Sequence, residues 1–204
     1  MGAAADVRRR NPRGEGDRLR AALMEAAAEL LLEHGSAQRL SIRSITARAG
    51  VSPTALYLHF QSKEELIRAV SIAAFQDLWD FLREAAEAHE GDPRAQIRAL
   101  GEAYIDFAES RPGHYRILFA TTGRTALAGP PGPAEEDPGT AALELLLGAV
   151  AGAVTDGRDP QAVAQQLWIG VHGFVMLRSA LPHMDWPSPE EFLTTLHAAH
   201  LGPD

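Results

Sequence analysis

Five prolines in this chain stand where a helix would begin. Ser52-Pro53 sets a capping residue before a proline at the first helical position, and Asp92-Pro93, Arg111-Pro112, Asp159-Pro160 and Ser188-Pro189 mark further starts. Proline fixes φ near the helical value and lacks only an N–H that the first turn leaves unpaired anyway. Between these marks there is no sustained period-two alternation and few Val, Ile or Thr runs, so strands find little support. The chain predicts an all-α fold.

Asp17 is expected to cap a helix running to His34, with Leu23, Ala27, Leu30 and Leu31 on one stripe and Gly35 as its stop. Ser41 caps a short segment over 41–49, stopped by Gly50. The next helix covers 53–58. Ser62 with Glu65 three residues on forms a capping box, and a long helix follows to about His89. Residues 121–140 are rich in Gly and Pro and read as a loop. Segments 141–154 and 161–181 are the most apolar helices, the second buried nearly all round. Gly148 and Gly152 have GxxxG spacing, which in a soluble helix points to close helix packing. The result is a small bundle to about Phe60 and a larger one after it.

The longest apolar run, 141–154, is broken by Glu144, and no stretch reaches the roughly 18 consecutive apolar residues of a spanning helix. The absence of cysteine excludes a disulfide framework, a thiolate zinc site and a cysteine nucleophile. Arg8-Arg9-Arg10 is not followed by an apolar segment, and Asp6 stands where a myristoylation signal wants Ser or Thr. These readings predict a cytoplasmic protein with no membrane partner. His197 and His200 are spaced as a ligand pair but lack a third ligand, so no metal is expected. No phosphate loop, nucleophile elbow or His-Glu-x-x-His is present, so neither an enzyme nor a cofactor is expected.

The net charge is −8, which taken whole argues against a nucleic-acid partner. Its distribution argues otherwise. Residues 1–68 carry eleven basic against eight acidic side chains and are net positive, so the remainder is strongly acidic. Such asymmetry suggests one end facing nucleic acid and a body that repels it. Residues 1–16, with Arg8, Arg9, Arg10 and Arg13 among Gly, Pro and Asn, form either a basic arm for a minor groove or a solvated tail.

The turn Ala49-Gly50-Val51-Ser52 joins two short helices in helix-turn-helix fashion. Gly50 suits the left-handed position there, and Val51 can plug the angle between the helices. The second helix of such a unit lies in the major groove with its first residues at base edges. Here these are Ser52, Pro53, Thr54 and Ala55. Tyr57 and His59 lie at the far end, where they can donate to phosphates. Lys63 stands in the first turn of the next helix, where free N–H groups also favour a phosphate.

The run Ala47-Arg48-Ala49-Gly50-Val51-Ser52, then Leu56-Tyr57-Leu58-His59-Phe60, then Ser62-Lys63-Glu64-Glu65-Leu66, resembles the TetR-family signature. The preceding helix, with Ala26, Leu30, Leu31 and Gly35, is similar to that family's first helix. Two features depart from it: Ser36 replaces an aromatic, and the link 36–40 is long. The resemblance implies a three-helix DNA-binding domain over 17–66 and a larger effector-binding and dimerisation domain over 67–204. It also implies a homodimer on double-stranded operator DNA, and a repressor released by a small, mostly apolar effector. The predicted DNA-binding set is Ser41, Arg43, Ser52, Pro53, Thr54, Ala55, Tyr57, His59 and Lys63. With no long polar side chain at Thr54 or Ala55, base readout falls to Thr54, to Arg43, or to thymine-methyl contacts.

Trp168-Ile169-Gly170-Val171-His172-Gly173 resembles the Trp-x-x-x-His-Gly element of one C-terminal subgroup. Trp168, His172 and Val175 share one helix face. With Phe75, Trp79, Tyr104, Phe107, Tyr115, Phe119 and Met176 they either line a pocket or fill a core. His172 and Tyr104 would be its polar groups. Arg116 and Arg178 are the only nearby cations, which disfavours a strongly anionic ligand. Dimer contacts are expected from 161–181 and 188–201, and the helix over 62–89 is the natural lever between the domains. A regulator without an effector and a helical enzyme are the alternatives.

Overall fold

The computed structural model describes residues 15–120 and 138–202, and among these every regular element is a helix. The order is α1 (Glu15–His34), a 3-10 turn (Ala37–Arg39), α2 (Ile42–Arg48), α3 (Pro53–Leu56), α4 (Lys63–Glu87), α5 (Pro93–Ser110), α6 (Pro112–Ala120), α7 (Pro138–Ala153), α8 (Pro160–Ala180) and α9 (Pro189–Leu201). All five marked prolines open helices. Asp92, Asp159 and Ser188 each accept a backbone N–H of the first turn, and Ser188 forms a reciprocal box with Glu191. The chain divides into two compact units between Val70 and Ser71.

The first unit buries Leu23, Ala27, Leu30 and Leu31 of α1 against Ile45, Leu56, Phe60 and Leu66. α1 begins at Glu15, so Asp17 lies inside the first turn instead of capping it. An acid is stabilised by the free N–H groups in either place. Residues 15 and 16, expected in the arm, are thus helical, and the arm's remaining residues lie outside the described ones. The extra length of the 36–40 link is taken up by the 3-10 turn, where Ser36 accepts from Gln38 N–H. Gly50 has φ 68°, which a side chain would strain.

Two details depart from expectation. Regular helix in α3 ends at Leu56, and 57–59 continue as tight turns, with Leu58 N–H donating to the Ala55 carbonyl and His59 N–H to Leu56. The Ser62–Glu65 box is shifted: Glu65 N–H donates to Ser62 Oγ, but its carboxylate accepts from Gln61 N–H.

The second unit is organised about α5, which contacts α6, α7, α8 and α9. Ile97, Leu100, Ile105 and Phe107 of α5 are buried with Leu118, Val150, Val163, Leu167 and Leu193. Glycine permits the close approaches: a Cβ on Gly101 would lie 2.8 Å from Leu193, and one on Gly152 would lie 2.9 Å from Pro93. Gly148, the other half of the GxxxG spacing, faces open space. Of the loop expected over 121–140, residues 121–137 lie outside the described ones, and 138–140 form the first turn of α7. The expectation that the helix over 161–181 is buried nearly all round fails. α8 buries Val163, Ala164, Leu167, Val171 and Phe174 but leaves Ile169, Met176 and Leu177 exposed. One chain supplies neighbours for only part of its circumference. No helix of the described residues is long and apolar enough to cross a membrane.

Candidate DNA-binding surface and helical-domain cluster

In the first unit α2 is fixed from both ends. Ser41 Oγ accepts from Ser44 N–H at 3.0 Å, and Ser44 Oγ accepts from Ser41 N–H at 3.0 Å. At the other end Arg48 bonds Glu29 at 2.9 Å and Glu33 at 2.8 Å, tying α2 to α1. This holds the Glu33 carboxyl below its usual range. Spent on that brace, Arg48 is a scaffold residue. Arg43, exposed on α2, has no ion pair among the described residues.

Around α3, Ser52, Pro53 and Thr54 are exposed and Ala55 is half-buried. Leu56 and Phe60 point into the core. With those two side chains inward, Thr54 of α3 and Tyr57 and Leu58 of the turns after it are left exposed. Tyr57 is 55% exposed and Leu58 74%. Sequence reading assigned no role to Leu58; its apolar character beside Tyr57 in a predicted groove-facing turn was the available signal. His59 is half-buried. Lys63 Nζ donates to the Leu40 carbonyl at 3.1 Å, which holds the ammonium at the start of α4.

In the second unit, five predicted residues from three helices converge. Tyr115 Oη lies 2.9 Å and Tyr104 Oη 3.1 Å from His172 Nδ1, and the two hydroxyls are 3.5 Å apart. The Phe119 ring lies 4.3 Å from the imidazole and Trp168 6.2 Å, centroid to centroid. Burial pushes the Tyr115 phenol up to about 12. Burial raises Tyr104 as well, with the neighbouring Tyr115 adding to the rise. Desolvation lowers His172. All three groups are therefore neutral near pH 7, and a neutral imidazole accepting at Nδ1 carries its proton on Nε2.

The other predicted pocket residues do not join this group as one set. Phe107 is fully buried with its ring edge-on to Phe81, under the Arg111 guanidinium. Phe75 and Trp79 are half-buried on α4. Val175 is buried, whereas Met176, 43% exposed, lies at the surface of α8, as does Trp168, 42% exposed at the rim of the His172 group. Arg178 pairs with Glu109 at 3.0 Å. Sequence reading also missed the Asp77 carboxylate on α4, which lies 3.3 Å from His114 Nε2 and 3.9 Å from Arg111. Among the described residues no group of three or more potential ligands could hold a metal ion.

The first unit carries a helix-turn-helix, and every regular element described in the second is a helix. The model of bacterial regulatory proteins of the tetR family matches residues 23–70, and that of the tetracyclin repressor-like C-terminal domain matches residues 97–200. The chain belongs to the TetR family, a family of transcriptional regulators and not of enzymes. It is 37% identical over 111 residues to the HTH-type transcriptional activator FasR of Mycolicibacterium smegmatis, covering 54% of this chain and 50% of the relative. It is 31% identical over 103 residues to the nucleoid occlusion factor SlmA of Vibrio cholerae, covering 47% and 48%. These matches span about half the length of each relative. Among solved structures, a protein with unknown function from Rhodococcus sp. RHA1 is similar with TM-score 0.68 and 25% identity, covering 97% of both chains. A TetR family transcription regulator from Marinobacter aquaeolei VT8 has TM-score 0.68 at 19% identity, covering 92% and 96%, a likeness of fold.

Proposed function

We propose that this chain is a homodimeric repressor that binds a two-fold symmetric operator and is released by a small, mostly apolar effector. In this reading Thr54 and Ala55 face bases, with Arg43 beside them from α2. Ser41, Tyr57, His59 and Lys63 hold phosphates, and Ser52 and Pro53 let the backbone approach the groove. Its place of action is the cytoplasm, with the DNA. The exposed Ile169, Met176 and Leu177 of α8 support a second copy as partner, since two recognition units give a symmetric site useful specificity. The basic residues before α1 add contacts beside the main groove.

The observation that carries the effector half is the meeting of Tyr104, Tyr115 and His172 beside Phe119 and Trp168. Polar groups are gathered at one spot among aromatic rings, which is how sites for small apolar ligands are built. With all three groups neutral, the fitting ligand is uncharged and mostly apolar, with one hydrogen-bonding group. Phe75, Trp79, Phe107, Val175 and Met176 belong to the wider candidate set and stand further from this core role. A 100-fold release from DNA needs about 2.7 kcal/mol of coupling between the two sites.

The test is a fluorescence-anisotropy titration of operator DNA against a library of uncharged apolar compounds. A compound that lowers operator affinity in the native protein, and does so less in His172→Gln, supports the reading. If none alters binding, the effector half fails while the DNA-binding half stands. The activator named among the relatives favours one second reading, activation, and a promoter-reporter assay reads the sign directly.

A further inference from the structure

We propose that Leu58 reads operator sequence by packing on the C5-methyl group of a thymine. Of the large apolar side chains in the described residues, Leu58 is the most exposed, at 74%. A single exposed leucine needs no explanation on an ordinary surface. This one is placed differently. It stands four residues beyond the exposed Thr54, in the tight turns that close α3, beside the 55% exposed Tyr57, and its N–H is anchored on the Ala55 carbonyl at 3.3 Å. The opposite face is held by Leu56, 0% exposed, and Phe60, 2% exposed, so the turn cannot roll to hide Leu58.

The chemistry of the groove narrows the partner. Major-groove base edges present donors and acceptors, and one apolar group, the thymine methyl. The residues proposed to face bases are short: Thr54 offers one hydroxyl and Ala55 none. A leucine has no group to satisfy a donor or an acceptor, so setting it over a cytosine amine or a guanine carbonyl would desolvate that group without return. Over thymine it removes two apolar surfaces from water. Discrimination at this base pair is therefore by methyl burial, with polar alternatives disfavoured by desolvation. The inference rests on the DNA-binding reading and goes beyond it by assigning one residue and one base.

The experiment begins with the full-length protein and a randomised duplex library, from which bound sequences are selected and the preferred operator taken. Each thymine of that operator is then replaced singly by uracil, which lacks only the methyl group. Native protein and Leu58→Ala are titrated against every duplex, with circular dichroism confirming that the variant is folded. Burial of one methyl predicts a loss of about four-fold in affinity at one uracil position per half-site. Leu58→Ala should bind the thymine operator more weakly and lose discrimination at that position, while Thr54→Ser keeps it. A uracil scan that is neutral throughout overturns the proposal, as does Leu58→Ala retaining the discrimination, which would assign the methyl to another residue. A Leu58→Ala loss equal for every duplex also overturns it, placing the side chain on sugar. If selection enriches no sequence, the DNA-binding reading itself fails, and that outcome is distinct from the others.

Discussion

The Tyr104, Tyr115 and His172 group makes a quantitative prediction about non-additivity. His172 Nδ1 has two phenols within reach, at 2.9 Å from Tyr115 and 3.1 Å from Tyr104. Its single lone pair needs only one of them. Tyr115→Phe removes one hydrogen bond, worth about 1 kcal/mol net, and leaves Tyr104 to donate. Tyr104→Phe likewise removes one hydrogen bond and leaves Tyr115 to donate. Each single variant leaves the nitrogen partnered. The double variant does not, and an unpaired polar atom adds about 1–3 kcal/mol. Because the His172 ring is only partly buried, water can reach it and the lower end applies. The double variant should thus lose about 1 kcal/mol more than the sum of the singles. The assay is urea unfolding followed by tryptophan fluorescence near neutral pH. Trp79, Trp168 and Trp186 all lie after Val70, so the signal reports the second unit. Additive losses, or a single variant as costly as the double, would refute this assignment of the hydrogen bonds.

His172 is held below its ordinary value by desolvation, so the unfolded chain takes up its proton first. Its contribution to stability is full above about pH 6.5 and is lost as pH falls through that value toward the folded one. His172→Gln should flatten this part of the urea-midpoint profile, and identical profiles would remove the cause. Lys63→Ala should weaken binding to all DNA sequences and reduce the salt slope by about one unit. It should also loosen the first unit, since Lys63 Nζ anchors the Leu40 carbonyl; faster amide exchange in α1 and α2 reads that second effect. Gly148→Ala, with nothing within 4 Å, should stabilise the chain by up to about 1 kcal/mol. Gly101→Ala should not, because its Cβ meets Leu193, which is 0% exposed and has no room to yield; equal thermal shifts for the two variants would refute the packing.

Much of the fold was legible because its signals are local. Asp92, Asp159 and Ser188 cap in the structure through contacts spanning two or three residues, and such contacts can be read directly from adjacent letters. The same holds for Gly50, whose left-handed φ follows from a turn too tight for a Cβ. Boundaries were less legible. The α1 start at Glu15 and the shifted Ser62–Glu65 box each turn on which of two neighbouring donors a carboxylate or helix end meets, and the competing arrangements are nearly equal in energy. The burial of α8 was misread for another reason. A helix rich in apolar residues on every side looks buried, but how much of it one chain covers depends on where α5, α7 and α9 pack.

The two candidate sites differ in the same physical way. The residues proposed to face DNA lie within a segment of about two dozen positions, where local geometry largely decides which side chains are exposed. Thr54, Tyr57 and Leu58 follow from that geometry once Leu56 and Phe60 are known to be inward. The second site joins α5, α6 and α8, with His172 lying 68 residues beyond Tyr104 in sequence. Nothing local connects them, so sequence could nominate aromatic and polar residues but not sort them. The sorting was done by packing. Tyr115 and Phe119, four apart on α6, reach His172 together, while Phe107, three after Tyr104 on α5, turns to Phe81 and Arg111. Met176 shows the converse. It lies four residues after His172, yet it faces outward with Ile169, because the i, i+3 and i+4 rule admits a spread of directions wide enough to separate a buried edge from an exposed one. The proposed ligand site, spread over three helices, thus depends on the tertiary packing of α5, α6 and α8, whereas the proposed groove-facing turn depends on its own few residues.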